Sequence, residues 1–120
     1  MAKVFIQATH GPENPTKATL AFLIARTAKD AGHDVSILLL GDAVYLMKDD
    51  VLDSVVGVGV GNLKTHFQAV QEAKIPIYVS QMSSRGRGVT SSDLQGKNAT
   101  FILPPKLVEL AVQSDTVLTY

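Results

Sequence analysis

Strands alternating with helices predict an α/β fold in three layers, a mainly parallel sheet with helices on both faces, of flavodoxin-like or Rossmann-like type. Three observations predict it. Short β-rich stretches at residues 4–9, 35–40 and 77–80 are separated by amphipathic runs of helical period, long enough for the crossovers that parallel pairs need. The second stretch, Val35 to Leu40, is nearly continuous in apolar residues, as a parallel strand covered on both faces requires. A chain of 120 residues with 46% hydrophobic, 18% charged and 5 prolines has the composition of one ordered globular domain, 1–120, large enough to fold without staples.

Taken in order, residues 4–9 form the first strand, which His10-Gly11-Pro12 stops. Asn14 before Pro15 has the form of an N-cap with proline at the first helical position. Ala18, Ala21, Phe22, Ala25 and Ala28 then carry a helix over 15–31 that Gly32 closes. Leu20 and Ile24 lie on a second face of that helix, which predicts burial against another subunit. After the 35–40 strand a short helix runs over 42–47, a polar turn follows, and 51–56 is a further short apolar piece. Residues 57–62 read as a flexible glycine-rich connector ending in Asn62, a cap for a helix over 63–73 with Leu63, Phe67, Val70 and Ala73 on one face. Pro76 introduces the 77–80 strand, and 81–88 is a polar loop. Thr90 with Asp93 has capping-box form for a short helix through Leu94, and 98–103 reads as a short strand. Pro104-Pro105 opens a helix over 106–113 that buries Leu107, Val108, Leu110 and Ala111, and 116–120 is the final strand.

Eleven basic and eleven acidic residues cancel, so no long-range field gathers nucleic acid or an anionic membrane. No apolar run approaches the ~18 residues of a membrane span, and Met1-Ala2-Lys3 leads straight into the first strand without a signal sequence, which predicts a cytoplasmic protein. There is no cysteine, hence no disulfide, thiolate nucleophile or zinc-thiolate site. His10, His33 and His66 have no metal-ligand spacing, and no cofactor is expected. The glycines at 57, 59 and 61 do not make a dinucleotide fingerprint, because Asn62 stands where the third glycine belongs and no G-K-[ST] follows.

In an open parallel sheet, ligands collect at the carboxyl ends of the strands. Two loops therefore carry the candidate site. The loop after the first strand holds His10, Gly11, Glu13 and Asn14 and leads into a helix N-terminus; its plainer reading is a cap and a solvated histidine. The loop after the 77–80 strand packs Ser80, Ser83, Ser84, Arg85 and Arg87 into eight positions, with Gly88 next, and suits a small oxyanion held by hydroxyls and guanidinium forks; its plainer reading is a solvated polar turn. A serine hydrolase using Ser80, His10 and Arg87 is the enzymatic alternative. It lacks a G-x-S-x-G elbow and an evident acid to orient His10.

The A-G-H-D-V step at 31–35, the L-L-L-G-D-A-V-Y-L stretch at 38–46, the I-P-I-Y-V strand at 75–79, the R-G-V of Arg87, Gly88 and Val89, and the closing D-T-V-L-T-Y together resemble the DsrE/DsrF-like (YchN-like) sulfur-relay family over essentially the whole chain. The resemblance implies a three-layer α/β fold and assembly as a homotrimer or homohexamer. It also implies a persulfide-carrying cysteine at the position of Ser80, with the second cysteine of some relatives at Ser83. A hydroxyl forms no persulfide and is scarcely ionised at neutral pH, so this member cannot relay sulfur as they do. The resemblance then implies a non-catalytic oligomer that binds a small anion or a protein partner, such as a cysteine-bearing relative or another sulfur-handling protein, or else a purely structural subunit.

Overall fold

The alternation of the first stretch gives β1 (Lys3–Ala8), with Val4, Ile6 and Ala8 on one face and Phe5 on the other. The structure is a computed structural model that describes residues 1–120. Asn14 caps α1 (Pro15–Asp30): its Oδ1 accepts the Lys17 N–H at 3.2 Å, and Pro15 sits in the first turn, where a missing N–H costs nothing. There follow β2 (Asp34–Leu39), a 3-10 turn over Gly41–Met47, α2 (Asp49–Ser54), β3 (Val56–Gly57), β4 (Gly61–Asn62) and α3 (Leu63–Glu72). The chain continues through β5 (Ile77–Ser80), α4 (Gln81–Arg85), α5 (Ser91–Leu94), β6 (Ala99–Ile102), α6 (Pro104–Gln113) and β7 (Thr116–Thr119).

The main sheet has five strands in the order β6-β5-β2-β1-β7, every pair parallel. From β1 through β2 and β5 to β6 the chain moves steadily one way across the sheet, so right-handed crossovers put α1, α3 and α5 on one face. From β6 to β7 it moves back past β1, and the same handedness puts α6 alone on the opposite face. The two faces differ accordingly. Val4, Ile6, Val35, Ile37, Leu39, Ile77 and Val79 meet Phe22, Leu63, Phe67 and Val70 in the main core, where the Phe22 and Phe67 rings lie 5.8 Å apart. Under α6 the buried set is only Phe5, Leu38 and Ile102, against half-buried Leu107, Leu110 and Ala111.

Four sequence expectations need correction. Residues 57–62 are no flexible connector. β3 and β4 pair antiparallel in a tight hairpin, the Val58 N–H reaches Thr16 Oγ1 at 3.0 Å, and a Cβ on Gly57 would lie 3.1 Å from Thr19 Cβ, so the hairpin is docked on α1. Asn62 precedes α3 without a side-chain cap bond. Residues 81–88 are not loop throughout, since Gln81–Arg85 is helical: the Ser80 hydroxyl accepts the Ser83 N–H and so caps it. In α6 the helix begins at Pro104, and Val108 is 58% and Val112 78% exposed, because only its Leu107–Leu110–Ala111 side meets the sheet. Leu20 and Ile24 of α1 are half-buried, Ile24 against the main core.

Candidate functional site

Neighbouring strands whose following helices go to opposite faces leave a crevice at their carboxyl ends. Here those strands are β5, which leads through α4 to α5 and the main core, and β6, which leads to α6. A pocket of about 120 Å³ lies there. Leu38, Leu40, Ile102 and Leu107 form its apolar walls, Leu103 and Pro104 its rim, and Ser80 and Ser83 its polar side. It is far below the ~300–1,000 Å³ of sites for drug-sized ligands, so it suits a molecule of a few heavy atoms.

Local folding presents the two serines. As the N-cap of α4, Ser80 points its hydroxyl at the Ser83 N–H, 3.2 Å away. One helical turn on, the Ser83 hydroxyl accepts the Gly41 N–H at 2.9 Å, which ties the β5 end to the turn after β2. Both oxygens are acceptors for backbone N–H groups, and neither hydroxyl donates to a protein group, so both O–H bonds are available to a ligand oxygen. Ser84, beside them, is buried with an unpartnered hydroxyl and faces no pocket.

Of the sequence candidates, Ser80, Ser83 and Arg87 come together. Arg87 does not line the pocket: its Nε donates to Asp42 Oδ1 at 2.9 Å and its Nη1 to the Ser83 carbonyl at 3.2 Å, which holds α4 against the Gly41–Asp42 corner. Gly11 joins the same corner, since a Cβ there would lie 2.2 Å from the Asp42 carbonyl oxygen. Gly88 has φ +70°, and its carbonyl accepts the Lys48 ammonium at 3.1 Å. That ammonium also reaches Asp93 Oδ2 at 3.3 Å. The Thr90 N–H, donated to Asp93 at 2.9 Å, and then Lys48 hold the Asp93 carboxyl below the usual carboxylate range. Asn14 is the α1 cap.

Glu13 was the acid that sequence spacing left unassigned. Its Oε2 lies 2.7 Å from His10 Nδ1 and its Oε1 accepts the Gly11 N–H, orienting the imidazole. No hydrogen bond joins His10 to Ser80, whose hydroxyl is held by Ser83 instead. Sequence reasoning missed Asp42, Gly41 and the apolar walls. The first two directly follow a strand at its carboxyl end, the place where ligand-side residues gather, so position alone could have flagged them.

A family model described as the DsrE/DsrF-like family matches residues 2–120. Among solved structures, the ychN protein from E. coli superposes with a TM-score of 0.80 at 19% identity, covering 100% of both chains. A conserved protein of unknown function from Bacteroides thetaiotaomicron, BT1422, superposes with a TM-score of 0.73 at 19% identity, over 99% of this chain and 95% of that one. At such identity the two structures establish a shared fold. No curated protein matches the chain. No helix is long and apolar enough to cross a membrane.

Proposed function

The chain belongs to the DsrE/DsrF-like family, and from that premise we propose that it is a non-catalytic, oligomeric member, working within sulfur metabolism, that binds a small oxyacid in the Ser80–Ser83 pocket. The observation that carries this reading is the pair of hydroxyls, each fixed by a backbone N–H on its oxygen and each with its own hydrogen free, on one wall of an otherwise apolar pocket. Two O–H donors match two oxygens of a sulfite, thiosulfate or short carboxylate, and the apolar walls accept its sulfur or methylene end. Arg87, neutralised by Asp42, supplies rigidity to Ser83 more than charge to the ligand. With no thiol in the chain, the site holds its ligand without forming a persulfide.

Assembly is supported by Val108 and Val112, one helical turn apart and exposed on α6, and by the unpaired outer edge of β7 with Val117 exposed beside it. Titration of sulfite, thiosulfate and acetate into 15N-labelled protein tests the site. Saturable shifts at Ser80 and Ser83 that are lost in Ser80→Ala and Ser83→Ala are expected; no saturable shift with any of the three would sink the reading. Light scattering should return a trimer or hexamer, and a monomer mass would refute assembly.

A further inference from the structure

At the amino end of the sheet, away from Ser80, a second cavity of about 140 Å³ opens between the starts of β1, β2 and β5 and the last turn of α6. Strand register fixes what faces it. Lys3 lies beside Asp34, Phe5 beside Ser36, and Leu38 beside Tyr78. Phe5 and Leu38 pack under α6, so Lys3, Asp34, Ser36 and Tyr78 share that side, and Gln113 closes it from the helix.

Side chains directly opposite in adjacent strands stand about 5 Å apart at Cβ, where opposite charges ordinarily attract into a pair. Lys3 and Asp34 nevertheless form no ion pair, with each other or with any other residue. Only their backbones are engaged: the Lys3 N–H donates to Asp115 Oδ2 at 2.8 Å, the Lys3 carbonyl accepts the Asp115 N–H at 2.9 Å, and the Asp34 N–H donates to the Ala2 carbonyl at 2.9 Å. The Ser36 and Tyr78 hydroxyls and the Gln113 amide make no protein hydrogen bond either, whereas the nearby Ser114 hydroxyl is committed to the Leu110 carbonyl at 2.7 Å. Both charges stand at the solvent rim, where water solvates them until a ligand takes its place.

One free acid, one free base and three neutral polar groups around a floor of Tyr78 and Leu110 describe the complement of a small zwitterion. A ligand of single charge would satisfy Lys3 or Asp34 and leave the other. We propose that this cavity binds a small free amino acid, its ammonium on Asp34, its carboxylate toward Lys3, and its polar hydrogen bonds completed by Ser36 and Tyr78. The cavity volume limits the side chain to the smallest, as in glycine, alanine or serine.

The test is a titration of glycine, alanine, acetate and methylamine, followed by backbone NMR shifts at Ser36, Tyr78 and Gln113. Glycine or alanine should saturate these shifts, and acetate and methylamine should bind at least about tenfold more weakly, since each forfeits one charge-assisted contact. Asp34→Asn and Lys3→Met replace exposed side chains and leave the core untouched; each should weaken glycine by about tenfold. Ser80→Ala should leave glycine affinity unchanged, which separates this site from the oxyacid pocket. Absence of saturable shifts with glycine and alanine overturns the proposal, as does equal binding of acetate, retention of affinity in both charge variants, or loss of glycine binding in Ser80→Ala.

Discussion

Arg87 Nε donates to Asp42 Oδ1 at 2.9 Å, joining α4's end to the turn after β2 across 45 residues of sequence. The ion pair decides how residue 80 would behave as a thiol. In Ser80→Cys the sulfur would inherit the Ser83 N–H, 3.2 Å from the present hydroxyl, so its pKa should fall below the free-cysteine value of about 8.5. Adding Arg87→Ala should move the pH profile of alkylation to higher pH, because it leaves the Asp42 carboxylate unpaired, whereas adding Asp42→Asn should move it to lower pH by freeing the guanidinium. Profiles that ignore both changes would show that the ion pair does not reach residue 80.

Gly11 sets the distance between the loop after β1 and the Gly41–Asp42 corner. A Cβ there meets a backbone carbonyl oxygen at 2.2 Å, which cannot swing aside as a side chain would, so Gly11→Ala should cost about 3 kcal/mol. Gly59→Ala meets nothing within 4 Å and bears only the strain of φ +76°, about 1 kcal/mol. Urea denaturation of both variants gives the comparison. Equal losses would mean that the corner yields and is not rigid.

Local chemistry wrote much of this fold into the sequence, and long-range contact wrote the rest. Asn14-Pro15 announces α1, and the Ile77–Ser80 strand emerges with the expected bounds, because a cap, a proline and β-branched residues act within a few positions. The hairpin at Gly57 was hidden, since it depends on Thr16 and Thr19 of a helix some 40 residues earlier. Ser80 and Ser83 were legible as a polar cluster at a strand end; the pairing of Asp42 with Arg87 was not, since no spacing rule links the two.

His66 holds the hairpin from the other side. Its Nδ1 lies 3.1 Å from Arg26 Nη1 and its Nε2 2.7 Å from the Val60 carbonyl oxygen. A guanidinium only donates and a carbonyl only accepts, so Nδ1 accepts from Arg26 and Nε2 donates its hydrogen to Val60. His66→Leu removes both bonds and should destabilise the chain by about 1–2 kcal/mol. Hydrogen exchange should accelerate at β3 and β4 far more than in β1 and β2. Uniform acceleration throughout would instead mark His66 as a general packing residue.

Asp93 gives the acid side of the stability profile. Its carboxylate accepts the Thr90 N–H first of all and then the Lys48 ammonium, and both lower its pKa in the folded chain, while desolvation opposes them more weakly than the N–H contact favours the charge. For a carboxyl depressed on folding, the contribution is complete above the unfolded value of about 3.9 and is lost as pH falls from there through the folded value. At neutral pH, Asp93→Asn should therefore lower stability by about 1 kcal/mol, the worth of a helix cap. On titration below pH about 4 the wild-type curve should descend toward that of the variant until the two meet. Lys48→Met should remove a smaller part, and added salt should erase that part first, because an ion pair this exposed is screened while the Thr90 N–H contact is not. Urea midpoints of the three proteins at neutral and acid pH decide the matter. A gap between wild type and Asp93→Asn that stayed constant into acid would show that residue 93 acts through its shape and neutral hydrogen bonding and not through its charge.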